Sequence, residues 1–422
     1  MTDRTVICEI IGENQRFIES ISLHERDFQF EETGNYVLVG IRQAGKSYLL
    51  YQRAKQFLAA EHSPSEICYI NFDDERLLGM TAQELDAILK AYRSVYPHEP
   101  ILFLDEIQNV VGWEHFARRL ANQKYRVFIT GSNSKMLSRE IATTLGGRYW
   151  TQSLFPYSFS EYLSAQGVNL QHNWLYNGQI SDVQRQFNDY FSYGGFPATL
   201  EYHIASRREW LNELYGKILF SDIIVRNKIK NENALRLATK RLAENVQQPV
   251  SCNRLAGIVQ SAGIQTNPQS IKDYMRLLSE SCLTFSLSNY TAKFGEREGV
   301  KKHYFMDNGL LNIFLFRQET ALLENICAIH LYRQHGEGLF FYHRNVEVDF
   351  LVPEAGLAVQ ACWSMKNTQT FERETTALKN LSARIPLKQL LVITRDEEAT
   401  LPLGNGQSIE VVPVWKWLLE RT

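Results

Sequence analysis

The strongest constraint on this chain lies at residues 40–47, Gly40-Ile41-Arg42-Gln43-Ala44-Gly45-Lys46-Ser47. The loop comes after the apolar run Val37-Leu38-Val39 and precedes a second one, Leu49-Leu50. A buried strand that turns through glycines into a helix presents a ring of backbone N–H groups and a positive helix end, a combination that takes a phosphate. The spacing GxxxxGK[ST], with a strand before it and a helix after it, specifies a nucleotide phosphate loop. Residues 40–47 and Tyr48 are therefore expected to line ATP. Lys46 would reach the β and γ phosphates, and the Ser47 hydroxyl would hold Mg²⁺.

Such a loop needs a parallel sheet behind it. Ile67–Phe72, Ile101–Glu106 and Val127–Ser132 read as further strands, apolar on both faces as strands covered by helices must be. Residues 1–25 read as a lead-in helix by their apolar spacing. A chain of 422 residues exceeds what one core serves, so further domains are expected beyond this sheet. A net charge of −2 gives the whole molecule no bulk attraction for nucleic acid or membrane. The six cysteines are scattered, with no CxxC pair, which points to reduced thiols in a cytoplasmic protein and away from zinc. No apolar run approaches the ~20 residues of a membrane helix.

The strand Ile101-Leu102-Phe103-Leu104 ends in two adjacent acids, Asp105 and Glu106. Two carboxylates at one buried strand exit require a cation. Asp105 is placed for the magnesium shell and Glu106 for orienting or deprotonating a water. That second acid favours hydrolysis over phosphoryl transfer to a metabolite. The next strand ends in Thr130, Ser132 and Asn133, which either sense the γ-phosphate or cap the adjoining helix. Arg148, in Gly146-Gly147-Arg148, is a candidate to neutralise charge in the transition state, with Arg42 a weaker one.

GIRQAGKS, LFLDEIQNVVGWEHFARRL, FITGSNSKMLSRE, TLGGR and LFPYSFSEYL occur in this order. In this the chain resembles a prokaryotic family of predicted AAA+-like ATPases. The resemblance extends to FSYGGFPATL, Asp222-Ile223 and LLENICAIHLY. It implies an N-terminal ATPase domain in which Lys46, Ser47, Asp105 and Glu106 bind and hydrolyse ATP, with Arg148 typical of the family. It also implies a C-terminal domain of unknown function with a degenerate restriction-endonuclease-like fold. Gln43-Ala44 stand where many relatives carry a basic residue and a valine, a change that a backbone cradle tolerates.

Residues 230–306 read as a winged helix-turn-helix. The pattern gives a helix at 234–246, a second capped by Ser251, and a third capped by Asn267 with Pro268 at its first turn. LTFSLSNY and KKHYFMD would form the wing. Gln269, Lys272 and Arg276 would face the groove of double-stranded DNA, within a stretch carrying a local excess of five positive charges. Asp273 on the same face opposes that contact. Further on, Glu347 and Asp349, with Gln360-Ala361-Cys362 on the next strand, resemble the core of a PD-(D/E)XK nuclease. The second acid is replaced there by Gln360 and the lysine by Cys362. Glu324 matches the helix acid of that fold, and Lys366 is a nearby lysine that could migrate in. A scaffold retained for a protein partner is the expected outcome.

The expected architecture is thus α/β: a P-loop ATPase domain (1–155), a helical lid or linker (156–228), a winged-helix domain (229–306) and a degenerate nuclease-like domain (307–422). The expected function is a Mg²⁺-dependent ATP hydrolase acting as a switch coupled to DNA or a partner protein. A nucleotide-holding signalling or defence module with little turnover, and an ATP-dependent DNA nuclease, are the competing readings.

Overall fold

The structure, a computed structural model, describes residues 3–316, 318–404 and 406–420. The chain divides into two compact units, Met1–Phe155 and Pro156–Thr422.

The first unit opens with the helix Arg4–Ser20, capped by the Asp3 side chain and burying Ile7, Ile10, Ile11 and Ile18. Five strands come next: β1 (Tyr36–Val39), β2 (Ile67–Asn71), β3 (Ile101–Asp105), β4 (Arg126–Gly131) and β5 (Trp150–Ser153). They form one sheet in the order β2-β3-β4-β1-β5, parallel at every pairing. β1 to β4 are almost wholly buried, whereas β5 is an exposed edge with no apolar pattern. One register position places Tyr69, Phe103, Phe128 and Tyr36 side by side across four neighbouring strands. Their rings stack within 22° of parallel at 5.1–6.4 Å, which fixes strand register through cross-strand packing. All strands run the same way, so the loops after β1, β3 and β4 leave at one edge of the sheet, where α/β folds place their ligands.

In the second unit, the helix Ile180–Tyr193 ends at Gly194 and Gly195. Gly194 has φ +75°, and a Cβ there would meet Asp307 Oδ1 at 2.0 Å. The buried Asp307 carboxylate accepts from the N–H of Gly195, Gly309 and Leu310. Helices Glu232–Glu244, Cys252–Ser261 and Pro268–Glu280 accompany a three-stranded antiparallel sheet. Its strands are β6 (Val250–Ser251), β7 (Thr284–Ser288) and β8 (Val300–Phe305), in the order β6-β8-β7. Ser251 and Asn267 cap their helices, and Ile271, Tyr274, Leu277 and Leu278 form the buried stripe.

A six-stranded mixed sheet completes the unit. Its strands are β9 (Phe340–His343), β10 (Glu347–Val352), β11 (Leu357–Ala361), β12 (Gln389–Thr394), β13 (Ala399–Pro402) and β14 (Ser408–Pro413). They lie in the order β13-β14-β12-β11-β10-β9. Helix Thr368–Ser382 packs Ala377, Leu378 and Leu381 into the same apolar cluster as Leu351, Val392 and Val411. Among the described residues no helix is long and apolar enough to cross a membrane.

Candidate nucleotide site

The loop between β1 and the helix Lys46–Ala59 is curled by left-handed backbone at Gln43 (φ 63°) and Gly45 (φ 92°). Gly40 is obligatory: a Cβ would lie 2.0 Å from the Leu154 carbonyl oxygen. Ile41 and Ala44 are buried, Gln43 is exposed and Arg42 half-buried. The Ala44 carbonyl accepts from Arg26 Nη1 at 2.8 Å, while Arg26 Nη2 donates to Phe155 O at 3.0 Å. Arg26 thus ties the loop to the end of the first unit. Its guanidinium is buried, and its own backbone pairs with the Gln52 amide. Arg26 lies outside any motif, so spacing alone does not mark it.

Lys46 is buried and donates to the carbonyls of Gly40 and Ile41. Its Nζ lies 3.2 Å from Glu106 Oε1. Asp105 is fully buried. Ser47, Thr130 and Tyr69 all hydrogen-bond it, Tyr69 OH at 2.6 Å to Oδ2. A serine hydroxyl beside a carboxylate, next to a loop built for phosphate, is the hard-oxygen donor set that Mg²⁺ takes with nucleotide oxygens. Burial and the neighbouring Glu106 push the Asp105 carboxyl above its usual range, and its three hydrogen bonds pull it back. For Glu106 the balance is reversed. Burial pushes it up, but the Lys46 ammonium and a hydrogen bond from Gln108 hold it below the usual carboxylate range.

Glu106 has left-handed backbone (φ 53°, ψ 38°), which costs a non-glycine residue roughly 1–2 kcal/mol. Its N–H donates to Thr130 Oγ1 at 3.0 Å. The same threonine therefore braces both acids. Ser132 accepts from Gln108, and Asn133 caps the short turn Ser134–Leu137 by accepting from Lys135 N–H. Of the three polar residues ending β4, then, Thr130 and Ser132 join the acid pair and Asn133 is a cap. Tyr48 is 54% exposed and meets Tyr51 edge-on. Arg148 stands apart: it is exposed and donates to Gly146 O within its own loop.

In the second unit the residues expected to form a degenerate nuclease centre do converge, around a cation from elsewhere. Lys302 of β8 is wholly buried. Its Nζ lies 3.3 Å from Glu324, 3.1 Å from Glu347 and 3.1 Å from Asp349. Burial disfavours its charge, but these three carboxylates hold its pKa well above the ordinary lysine value. Gln360 bridges the backbone of β10, accepting from Asp349 N–H and donating to Glu347 O. Cys362 is buried, and its thiol donates to Ser364 O. Lys366 is exposed, so the lysine that meets the acids is Lys302. The acids border a pocket of about 1070 Å³ shared with Arg373 and Glu374. Among the described residues no group of three or more acids, histidines or cysteines is arranged to hold a metal ion.

A strand-borne phosphate loop, a parallel sheet and a paired carboxylate at one sheet edge define an AAA+-like ATPase domain, and an AAA domain model matches residues 32–163. A model for a domain of unknown function matches residues 184–321. An uncharacterized protein of Methanocaldococcus jannaschii is 30% identical over 435 residues, covering 99% of this chain and 96% of its own. The chain belongs to the family of that archaeal protein. An uncharacterized protein of Haemophilus influenzae is 29% identical over 403 residues, covering 93% of this chain and 96% of its own. Among solved structures, a Walker-type ATPase of Pyrococcus abyssi is similar with TM-score 0.43 and 12% identity, over 74% of this chain and 96% of that one.

Proposed function

We propose that this protein binds ATP with Mg²⁺, hydrolyses it, and uses the nucleotide state to control binding of double-stranded DNA or a partner protein. The observation that carries the reading is the convergence of Lys46, Ser47, Asp105 and Glu106 beside the loop. The loop residues Gly40 to Ser47 would bind the phosphates, Lys46 among them as the charge on β and γ, with Tyr48 at the rim. Ser47 and Asp105 would hold Mg²⁺, which when bound neutralises charge on the phosphates. Glu106, kept ionised by Lys46, is the base for water. Arg148 is assigned to transition-state charge only from an exposed loop, so it would have to approach from a different arrangement of that loop or from a second copy.

The domain scheme is proposed in the same way, as an ATPase domain (1–155), a helical linker (156–228), a winged helix (229–306) and a nuclease-like domain (307–422). The order helix, strand, helix, helix, strand, strand from Glu232 to Phe305, with one short helix (Phe294–Gly299) inserted between the last two strands, supports the winged helix. Gln269, Lys272 and Arg276 are exposed on the third of those helices, although Arg276 is drawn to Glu280 at 2.6 Å. Cleavage of DNA by the last domain is disfavoured, because a lysine already neutralises its acids.

The test is ATP turnover and nucleotide binding in Lys46→Ala and Glu106→Gln, with and without double-stranded DNA at two salt concentrations. Lys46→Ala should lose binding, while Glu106→Gln should bind normally and turn over at least ~100-fold more slowly. Equal loss of binding in both would refute Glu106 as the base. Stimulation by DNA that fades with salt would support the winged helix as its reader, and none at either salt would leave a protein as the partner.

A further inference from the structure

Two residues beyond Glu106, Gln108 sits on the short turn Ile107–Asn109 with its amide turned back toward the acid. Nε2 donates to Glu106 Oε2, and to Ser132 Oγ at 3.3 Å. This fixes which end of the amide faces which way. Reversing it would set a carbonyl oxygen against a carboxylate. Oε1 is left buried and, among the described residues, without a hydrogen-bond partner. It lies over the end of β4, where a Cβ on Gly131 would come within 2.5 Å of it. An unpaired buried carbonyl costs about 1–3 kcal/mol, and native proteins rarely keep one without a use for it. Here the amide nitrogen lies between the base and Ser132, and the oxygen of the same amide faces Gly131 at the end of β4, on the edge of the sheet that carries the phosphate loop.

We propose that Gln108 orients the water that attacks ATP. Nε2 holds the Glu106 carboxylate in place, and Oε1 accepts a hydrogen bond from the same water that Glu106 deprotonates. This rests on the hydrolytic reading of the site. In the step, the water oxygen bonds to the γ-phosphorus as the bond from γ-phosphorus to the bridging oxygen breaks, and ADP leaves with that electron pair. One water proton passes to Glu106. The other, held by Gln108 Oε1, stays on the phosphate formed. Glycine at 131 is part of the same arrangement, because any side chain there would fill the space that Oε1 occupies. Ser132 completes it by sharing the amide donor. Gln108 thus supplies both halves of one geometry, the direction of the base and the direction of the water.

The experiment compares kcat with nucleotide affinity, read by a fluorescent ATP analogue, in Gln108→Ala, Gln108→Met, Gln108→Glu and Glu106→Gln. Gln108→Met keeps the volume and the fold while removing both polar ends. Gln108→Glu keeps an acceptor but loses the donor to Glu106. All three Gln108 variants should lower kcat by roughly 100-fold with affinity changed less than about threefold. A Gln108→Met protein that is folded and turns over within about threefold of the parent, while Glu106→Gln is inactive, overturns the role of Gln108 and leaves hydrolysis standing. Equal losses of affinity and kcat in folded Gln108 variants overturn it as well, since they mark support of the loop. Turnover by Glu106→Gln at the parent rate removes the hydrolytic reading and this inference with it.

Discussion

Replacing Lys302 with methionine keeps the volume of the side chain and deletes a charge that three carboxylates enclose. At 3.1 Å and an effective dielectric of about 20, each unit-charge contact is worth about 5 kcal/mol before desolvation is counted. Most of that gain is offset by removing Lys302, Glu324 and much of Asp349 from water, and the contact with the partly exposed Glu347 is further weakened by solvent. The deletion is therefore expected to cost the usual ~3–5 kcal/mol of a broken buried pair, or roughly 6–20 °C in the midpoint of the second unit. The loss should depend on pH. Burial and Asp349 already push the Glu324 carboxyl above its ordinary value, and without Lys302 it rises further. A carboxyl whose folded value exceeds its unfolded one takes up a proton on folding, so stability falls as pH rises. Lys302→Met should accordingly lie farther below the parent at pH 8 than at pH 5.5. Adding Glu324→Gln should recover part of the loss at pH 8, because it removes the carboxyl left uncompensated. Thermal melts at both pH values decide the matter. A loss under about 2 °C that is the same at both would refute the account of Lys302 as the cation of this cluster.

Two further outcomes are expected. Arg26→Ala removes two charge-assisted hydrogen bonds that hold the Ala44 and Phe155 carbonyls. It should destabilise the first unit by about 3 kcal/mol and weaken ATP-analogue binding several-fold, as melting and fluorescence titration would show. His303 is buried, with Nε2 unpartnered among the described residues and its pKa lowered by burial to about 4. A base depressed on folding loses stability as pH falls below its unfolded value near 6.5, about 2 kcal/mol at pH 5. His303→Phe should shrink the stability difference between pH 7 and pH 5 by that amount.

The parts legible in the sequence are those whose signal is local. The phosphate loop, the four buried strands of the first sheet and the caps at Ser251 and Asn267 are each written within about ten residues. β5 and β13 escape notice because they are exposed edges without apolar alternation, whereas β14 alternates half-buried and buried positions over six residues and carries a strand pattern of its own. Lys302 has no local mark. Its carboxylates lie 22 to 47 residues further on, so only tertiary packing identifies it, and the expected lysine, Lys366, is exposed. Gln108 lies within the motif's reach. Its significance is in which way the amide points, and spacing carries no information about that.

The left-handed backbone at Glu106 sets stability against chemistry at a single codon. Asparagine or glycine would relieve the strain there, and either would also remove the carboxylate that faces Lys46. Natural variation sampled for heat resistance alone would drift toward those residues and silence the site. Persistence of glutamate at this position across relatives would therefore record selection for turnover, and its replacement would mark the lineages that have kept the nucleotide only as a ligand.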